Sequence, residues 1–136
     1  MMDEVKRFVE HDRFAKHLGI EMVEYGQGKA KGRMAIRDHH LNSAGTVHGG
    51  AVFSLADAVF SAASNSHGTL AMAINVSISF FKAATNGLLT ASAEEVSFNP
   101  KLATYLITVT DEKGNVIALF QGTVYRKKER IGELVL

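Results

Sequence analysis

One carboxylate, Asp57, lies within a run of small and apolar residues and has four uncharged neighbours on either side. An ionised carboxylate in apolar surroundings is costly unless it is paired, and burial raises its pKa toward neutrality. Such a group is suited to act as a general base or as a nucleophile. The alternative is a structural carboxylate that reaches water or a donor on a second chain.

Two glycines of an "HGG" triplet, Gly49 and Gly50, directly precede the stretch that carries Asp57. The first backbone N–H groups of a helix have no intrahelical partner and lie at the positive end of the helix dipole. Because glycine lacks a Cβ atom, a ligand can approach such an N–H closely. The motif therefore predicts an oxyanion site for a polarised carbonyl, the alternative being a tight turn that only starts the helix.

The spacing of these residues has a consequence for assembly. Gly49 and Asp57 are eight positions apart, which is about 12 Å along a helix axis at about 1.5 Å per residue. A base and an oxyanion donor must both come within about 3 Å of one reacting group, so one chain is not expected to form the site alone. Two antiparallel copies of the helix would bring Asp57 of one chain to Gly49 of the other. The prediction is a composite site in a homodimer.

The elements that must position these residues are indicated by hydrophobic periodicity. A helix over about residues 49–66 carries no charge except Asp57, so it must be surrounded by protein. An amphipathic N-terminal helix is predicted within residues 1–18, from the apolar spacing of residues 3–18. About six strands are predicted, near residues 20–26, 28–36, 70–83, 88–98, 103–111 and 115–126. The prediction is an α+β fold in which an antiparallel β-sheet of about five to six strands wraps around one long central α-helix.

Two strand regions give more specific predictions. Alternation in residues 70–83 places Met72, Ile78 and the apolar residues between them on one face of a strand. The sequences "GQG" at 26–28 and "DEKGN" at 111–115 are typical of hairpin turns.

Composition bounds the class of protein. The 136 residues include no cysteine and have a formal net charge of +1, which excludes thiol chemistry and gives no support for a nucleic-acid partner. No stretch has the about 18 uninterrupted apolar residues of a membrane helix, and the N-terminal residues lack the apolar core of a signal peptide. We therefore expect one cytoplasmic domain over residues 1–136, with neither a nucleic-acid nor a membrane partner.

The same residues carry a resemblance to a known family. Asn42, Gly45, the "HGG" at 48–50 and the "FSLAD" that ends at Asp57 resemble the hotdog-fold acyl-CoA thioesterases of the phenylacetyl-CoA thioesterase (PaaI-like) type. The segment "AINVSISFFKAA" is similar to the family's strand after the helix, and "VTDEKGNVIALFQGTVYR" is similar to its last hairpin. The resemblance covers about residues 20–126.

The resemblance implies hydrolysis of an acyl-CoA thioester by homodimers, which often pair into homotetramers. It implies that Asp57 is the catalytic carboxylate and that the Gly49 N–H polarises the thioester carbonyl. His48 would orient the turn and could touch the thioester, whereas Asn42 would position water or substrate; local turn formation is the alternative for both. No metal and no separate cofactor are expected, since coenzyme A is part of the substrate.

Further residues are candidates for substrate binding, each with a structural alternative such as a solvated strand end or the core. Basic side chains could hold the phosphates of coenzyme A, and a strand amide or an aromatic ring could line the pocket. The candidates are Gly50, Asn75, Phe80, Lys82, Arg126 and Lys127. The pair His39–His40 suggests a metal at first sight, but no ligand follows at helical spacing, so an exposed loop is expected.

Two other functions are compatible with this fold. A hotdog dehydratase acting on hydroxyacyl thioesters would need a His and an acidic residue with a proline-rich approach to the helix, and the only proline, Pro100, lies far downstream. A non-catalytic acyl-CoA-binding module is the other alternative. Sensors of this fold usually append a DNA-binding region, for which 136 residues leave no room.

Overall fold

The computed structural model describes residues 2–136, so residue 1 of the predicted N-terminal helix lies outside it. A six-stranded antiparallel sheet wraps around one long helix, and that helix contacts all six strands. The predicted α+β architecture is confirmed. The elements are α1 (Met2–Glu10), α2 (Arg13–Leu18), β1 (Ile20–Gly26), β2 (Lys29–Ala35), α3 (Gly49–Asn65), β3 (Thr69–Phe80), β4 (Leu88–Phe98), β5 (Leu102–Thr110) and β6 (Val116–Arg130).

The central helix α3 is held in one position by close contacts with the sheet. Most of its residues are buried, as the absence of a charged face predicts. At Gly122 of β6, an added Cβ atom would lie 2.6 Å from the Phe60 ring, and at Gly32 of β2 it would lie 2.8 Å from Val59. Larger residues at either glycine would push the helix away from the sheet, so these glycines set how closely α3 packs.

The strand order is β1-β2-β4-β5-β6-β3, which leaves β1 and β3 at the edges. The register of β3 against β6 shifts between Ala73 and Asn75. Met72 pairs with exposed Tyr125, whereas Ile78 pairs with buried Phe120. Since paired residues share a face, Met72 and Ile78 lie on opposite faces. The prediction that they share one face is wrong, because a bulge breaks the period-two pattern between them.

The N-terminal segment forms two helices rather than the single helix predicted over residues 3–18. The Asp12 carboxylate caps α2 by accepting a hydrogen bond from the Ala15 N–H at 3.0 Å. Asp12 adopts an extended backbone conformation, and α1 has ended at Glu10. A short polar side chain that bonds the following turn competes with continuation of the preceding helix, which explains the break.

A polar network fixes the C-terminal end of α3, opposite the glycine turn. Glu95 Oε2 accepts a hydrogen bond from the Tyr105 hydroxyl at 2.6 Å and lies 2.6 Å from His67 Nε2. Burial, together with the Glu95 carboxylate, raises the pKa of Tyr105, so the phenol keeps its proton and donates it. The Asn65 side chain accepts from the Ala71 N–H at 2.9 Å, which ties the end of the helix to β3. The helix is therefore anchored at this end independently of its first turn.

Candidate active site

The first turn of α3 leaves one backbone donor open. His48 is the N-cap: its Nδ1 atom accepts from the Gly50 N–H at 2.8 Å, and its carbonyl oxygen accepts from the N–H groups of Ala51 and Val52 at 2.9 and 3.2 Å. Among the hydrogen bonds of the described residues, none is donated by the Gly49 N–H. His48 therefore accepts hydrogen bonds from the three N–H groups that follow Gly49. The Gly49 N–H is left as the donor available to a ligand at the positive end of the helix.

The hydrogen bond from the Gly50 N–H also determines which ring nitrogen of His48 can act as a donor. Because Nδ1 accepts a hydrogen bond, the neutral ring carries its proton on Nε2. The backbone of His48 is extended, with φ −59° and ψ 137°. The imidazole thus presents an N–H donor that the cap does not use.

Phe80 and Lys82, two candidates for substrate binding, lie beside Gly49. A Cβ atom added at Gly49 would be 3.3 Å from the Phe80 ring. Both residues line a cavity of about 310 Å³ together with Gly49, Phe81 and the loop that follows β3. A ligand bound at the Gly49 N–H would therefore have an aromatic wall and an ammonium group within the same cavity.

Asp57 is a half-buried carboxylate without a partner in the described part of the chain. No hydrogen bond or ion pair of residues 2–136 includes its side chain. Burial raises its pKa, and the nearby negative charge of Asp12 raises the pKa further. Since Asp57 and Gly49 belong to the same helix, they remain about 12 Å apart along its axis. They cannot act on one carbonyl within a single chain.

The Asn42 side chain makes its hydrogen bonds within its own loop. Its Oδ1 atom accepts from the N–H groups of Ala44 and Thr46 at 3.0 and 3.1 Å, and its amide donates to the Thr46 hydroxyl at 2.9 Å. The loop is connected to the cap through the Leu41–Val47 bridge and through a hydrogen bond from the His48 N–H to the His40 carbonyl. In this chain, the side chain of Asn42 shapes the approach to the helix.

Two of the basic candidates, Arg126 and Lys127, lie at the other end of the sheet from Gly49. Arg126 pairs with Ala71 at the start of β3, nine positions from Phe80, which is about 30 Å along a strand. Its guanidinium donates to the Asn99 carbonyl at 3.1 Å and stacks over the Phe98 ring at 4.2 Å. Arg126 and its neighbour Lys127 are therefore remote from Gly49 of the same chain. Asn75 is exposed at the β3 bulge, between the two ends.

The pair His39–His40 differs from the exposed loop that the sequence predicts. His39 is exposed, whereas His40 is only 2% exposed. His40 Nδ1 accepts from the Arg37 N–H at 3.0 Å, and Nε2 lies 2.8 Å from the Leu18 carbonyl, to which it donates. Two backbone partners account for the burial. Nowhere in residues 2–136 do three or more His, Asp or Glu side chains form a cluster that could hold a metal.

One residue of this region, Asp12, is absent from the sequence-based candidates. An aspartate directly before an apolar helical stretch is a recognised N-cap signal, so its role at α2 was readable. Its electrostatic effect on Asp57 could not be predicted from the sequence, because it depends on how α2 packs beside α3.

Within residues 2–136, no helix is long and apolar enough to cross a membrane.

Comparisons with known proteins agree with this architecture. A family model described as thioesterase superfamily matches residues 44–118. A protein of Archaeoglobus fulgidus that bears an esterase name is 46% identical over 131 residues, which is 95% of this chain and 85% of the relative. The acyl-coenzyme A thioesterase PaaI of Escherichia coli is 36% identical over 124 residues, or 90% of this chain and 86% of that protein.

The structural comparison leads to the same group. The structure of Escherichia coli PaaI, a protein of the phenylacetic acid degradation operon, superposes with a TM-score of 0.91 at 31% identity and covers 95% of this chain and 94% of that one. The resemblance to PaaI-like proteins and the hotdog fold are thereby confirmed. This chain belongs to the thioesterase superfamily and is a thioester hydrolase.

Proposed function

We propose that this enzyme hydrolyses acyl-coenzyme A thioesters at a site shared by two copies of the chain. The observation that carries the proposal is the pair of unsatisfied groups on α3. The Gly49 N–H and the Asp57 carboxylate are both without partners among the described residues, on one helix, and too far apart to meet within one chain. The name of the Escherichia coli relative supports acyl-coenzyme A as the substrate class.

In the proposed reaction, Asp57 removes a proton from water, which attacks the thioester carbon. The carbonyl oxygen gains negative charge and accepts a hydrogen bond from the Gly49 N–H of the other chain. When the tetrahedral intermediate collapses, the C–S bond breaks and the thiolate of coenzyme A takes the proton from Asp57. A pKa raised by burial suits Asp57 to this role, because a stronger base accepts the water proton more readily. Direct attack by the Asp57 carboxylate is the other route that these groups allow.

The edge strand β3 supports the dimer. Its outer side has no partner strand within the chain, and Ile74, Phe80 and Phe81 on or next to it are between 53% and 59% exposed. An unpaired edge with exposed apolar residues is a template for pairing with another chain. We propose that two β3 strands pair antiparallel and that two α3 helices cross near Phe53, the midpoint between Gly49 and Asp57. Pairing of such dimers into tetramers remains part of the proposal.

This arrangement gives the remote basic residues a role. If two β3 strands pair about their midpoint, next to Asn75, the start of one strand lies beside the end of the other. Arg126, which pairs with Ala71, would then approach the Gly49 turn of the second chain. We propose that Arg126 and Lys127 of one chain, with Lys82 of the other, bind the phosphates of coenzyme A.

The remaining candidates have supporting roles in the proposal. His48 holds the Gly50 N–H, and its Nε2–H is available to the substrate. Gly50 contributes by lacking a side chain, since a Cβ atom there would lie 2.9 Å from His48 Nδ1. Asn42 maintains the loop that leads into the turn.

The test is thiol release from acetyl-, octanoyl- and phenylacetyl-coenzyme A by the native protein and by Asp57→Asn. The substitution keeps the size of the side chain and removes the base, so we expect turnover to fall by about 10²- to 10⁴-fold, with an unchanged sedimentation coefficient. Equal turnover by the two proteins would contradict the role of Asp57. Binding of acyl-coenzyme A without any hydrolysis by the native protein would contradict the activity.

A further inference from the structure

A cavity of about 510 Å³ lies between the N-terminal helices and the central helix. α1 and α2 contribute Phe8, Val9 and Ala15 to its wall, and β1 contributes Met22. Charged residues such as Asp12 and Glu21 also border the cavity. The space is therefore an apolar chamber with charged residues on its border.

Asp57 itself does not line the cavity, but the residues that follow it on α3 do. Ala58, the next residue, lines it, and so does Ser61, which is one helical turn further along α3 and about 6 Å away along the axis. Asp12 borders the cavity and is close enough to Asp57 to influence the pKa of that carboxylate. A group attached to a carbonyl at Asp57 would thus reach the cavity within one turn.

The size of the cavity follows from the small residues on this side of α3. Ala58, Ser61 and Ala62 line it, whereas the neighbouring Val59 and Phe60 are directed at the sheet glycines. Pockets that hold drug-sized ligands have about 300–1,000 Å³. An acetyl group would leave most of this volume empty, and a larger apolar group would fill it.

Resting on the function proposed above, we infer that this cavity receives the acyl group and that Ser61 and Ala15 determine which acyl groups are accepted. The accepted class is a bulky apolar acyl group, bound by the chain that supplies Asp57. The two N-terminal helices form its outer wall. Residues outside the glycine–aspartate motif therefore select the substrate.

The first experiment fills the cavity. In Ala15→Leu and Ser61→Leu the added carbon atoms occupy space that the acyl group needs, so kcat/KM for octanoyl-coenzyme A is expected to fall at least about tenfold. The kcat/KM for acetyl-coenzyme A is expected to fall clearly less, because an acetyl group needs little of this space. Phe14→Leu is the matched control, because Phe14 lies on the same helix, is 64% exposed and does not line the cavity. Ala15→Val is the milder alternative if Ala15→Leu does not fold.

A second experiment measures occupancy without turnover. The chain contains no tryptophan, so Phe8→Trp combined with Asp57→Asn places a single tryptophan, excited selectively above the tyrosine absorption, in the cavity wall. Octanoyl-coenzyme A is expected to shift its emission, and coenzyme A alone is not. An equal shift with both compounds, or with neither, would overturn the inference.

The outcomes separate this inference from the proposed function. If the native protein hydrolyses octanoyl-coenzyme A and the filled variants keep the same ratio of octanoyl to acetyl activity, the inference is wrong and the function stands. If the native protein hydrolyses no acyl-coenzyme A, the function itself fails.

Discussion

Gly49→Pro would delete the proposed oxyanion donor with little disturbance of the fold. Proline has no N–H group and is favoured at the first position of a helix, which Gly49 occupies. The residue before a proline prefers an extended backbone, and His48 already has ψ 137°. We therefore expect a native thermal midpoint together with a loss of kcat of about 10²- to 10³-fold, or about 2.7–4 kcal/mol of transition-state stabilisation.

Gly49→Ala is the matched control for this substitution. It places a Cβ atom at the same position, 3.3 Å from the Phe80 ring, but it keeps the N–H group. Because Phe80 is 53% exposed, its ring has room to shift. The loss of kcat in Gly49→Ala should therefore be clearly smaller than in Gly49→Pro. Equal losses would show that space at Gly49, and not the donor, is what the reaction requires.

Mixing Gly49→Pro with Asp57→Asn tests whether the site is shared between chains. In a mixed dimer, the Gly49→Pro chain still supplies its native Asp57 and the Asp57→Asn chain still supplies its native Gly49, so one of the two sites is intact. Random reassociation makes about half of the dimers mixed, so about a quarter of the native activity should return. The assay is thiol release after joint unfolding and refolding of the two inactive variants. If both groups acted within one chain, every site would lack one of them and no activity would return.

Three further changes test the electrostatics and the packing around α3. Asp12→Asn keeps an oxygen that can accept from the Ala15 N–H but removes a negative charge that raises the pKa of Asp57. The acid limb of the pH–kcat/KM profile should therefore move to lower pH. An unmoved limb would show that the charge of Asp12 does not affect the catalytic group. Asp57→Asn should raise the thermal midpoint at pH 8, because a carboxyl group with a raised pKa is ionised in the folded state at a cost above that pKa. The gain should shrink as the pH falls toward the ordinary aspartate value, and a gain independent of pH would argue against burial as its cause. Gly122→Ala should lower the free energy of unfolding by about 1–3 kcal/mol in urea titrations, because its Cβ atom would lie 2.6 Å from Phe60. Phe60→Leu in the same chain should relieve part of that loss, and strictly additive effects would contradict the contact.

The architecture was largely readable from the sequence because its strongest signals are local. A helix with no charged face must be enclosed, and the only way to enclose it with short alternating strands is to wrap them around it. The turn at 26–28 is confirmed by the positive φ of Gln27 and Gly28, and Asp111 caps its hairpin loop by accepting from Asn115. Signals of this kind do not depend on distant parts of the chain.

The features that the sequence did not predict depend on tertiary structure or on a single inserted residue. The bulge in β3 changes the face of every residue after it, and no residue type near Ala73 announces it. The burial of His40 requires the Leu18 carbonyl from a distant helix. The hydrogen bond from the Gly50 N–H to His48, which leaves only Gly49 as an open donor, is likewise visible only in the structure. The roles of Asp57 and Gly49 stay predictions for the experiments above.

The close packing of α3 against Gly32 and Gly122 fixes the distance and the rotation between the Gly49 N–H and the Asp57 carboxylate. One residue inserted between Gly49 and Asp57 would rotate everything beyond it by about 100° and lengthen the interval by about 1.5 Å. Neither sliding nor twisting of the helix could absorb that change against the two glycines. In the proposed dimer, such an insertion would disable both centres at once, whereas an insertion between α1 and α2 would alter only the cavity proposed to receive the acyl group. The connection between the N-terminal helices is therefore expected to tolerate insertions, whereas the segment of α3 between Gly49 and Asp57 is not.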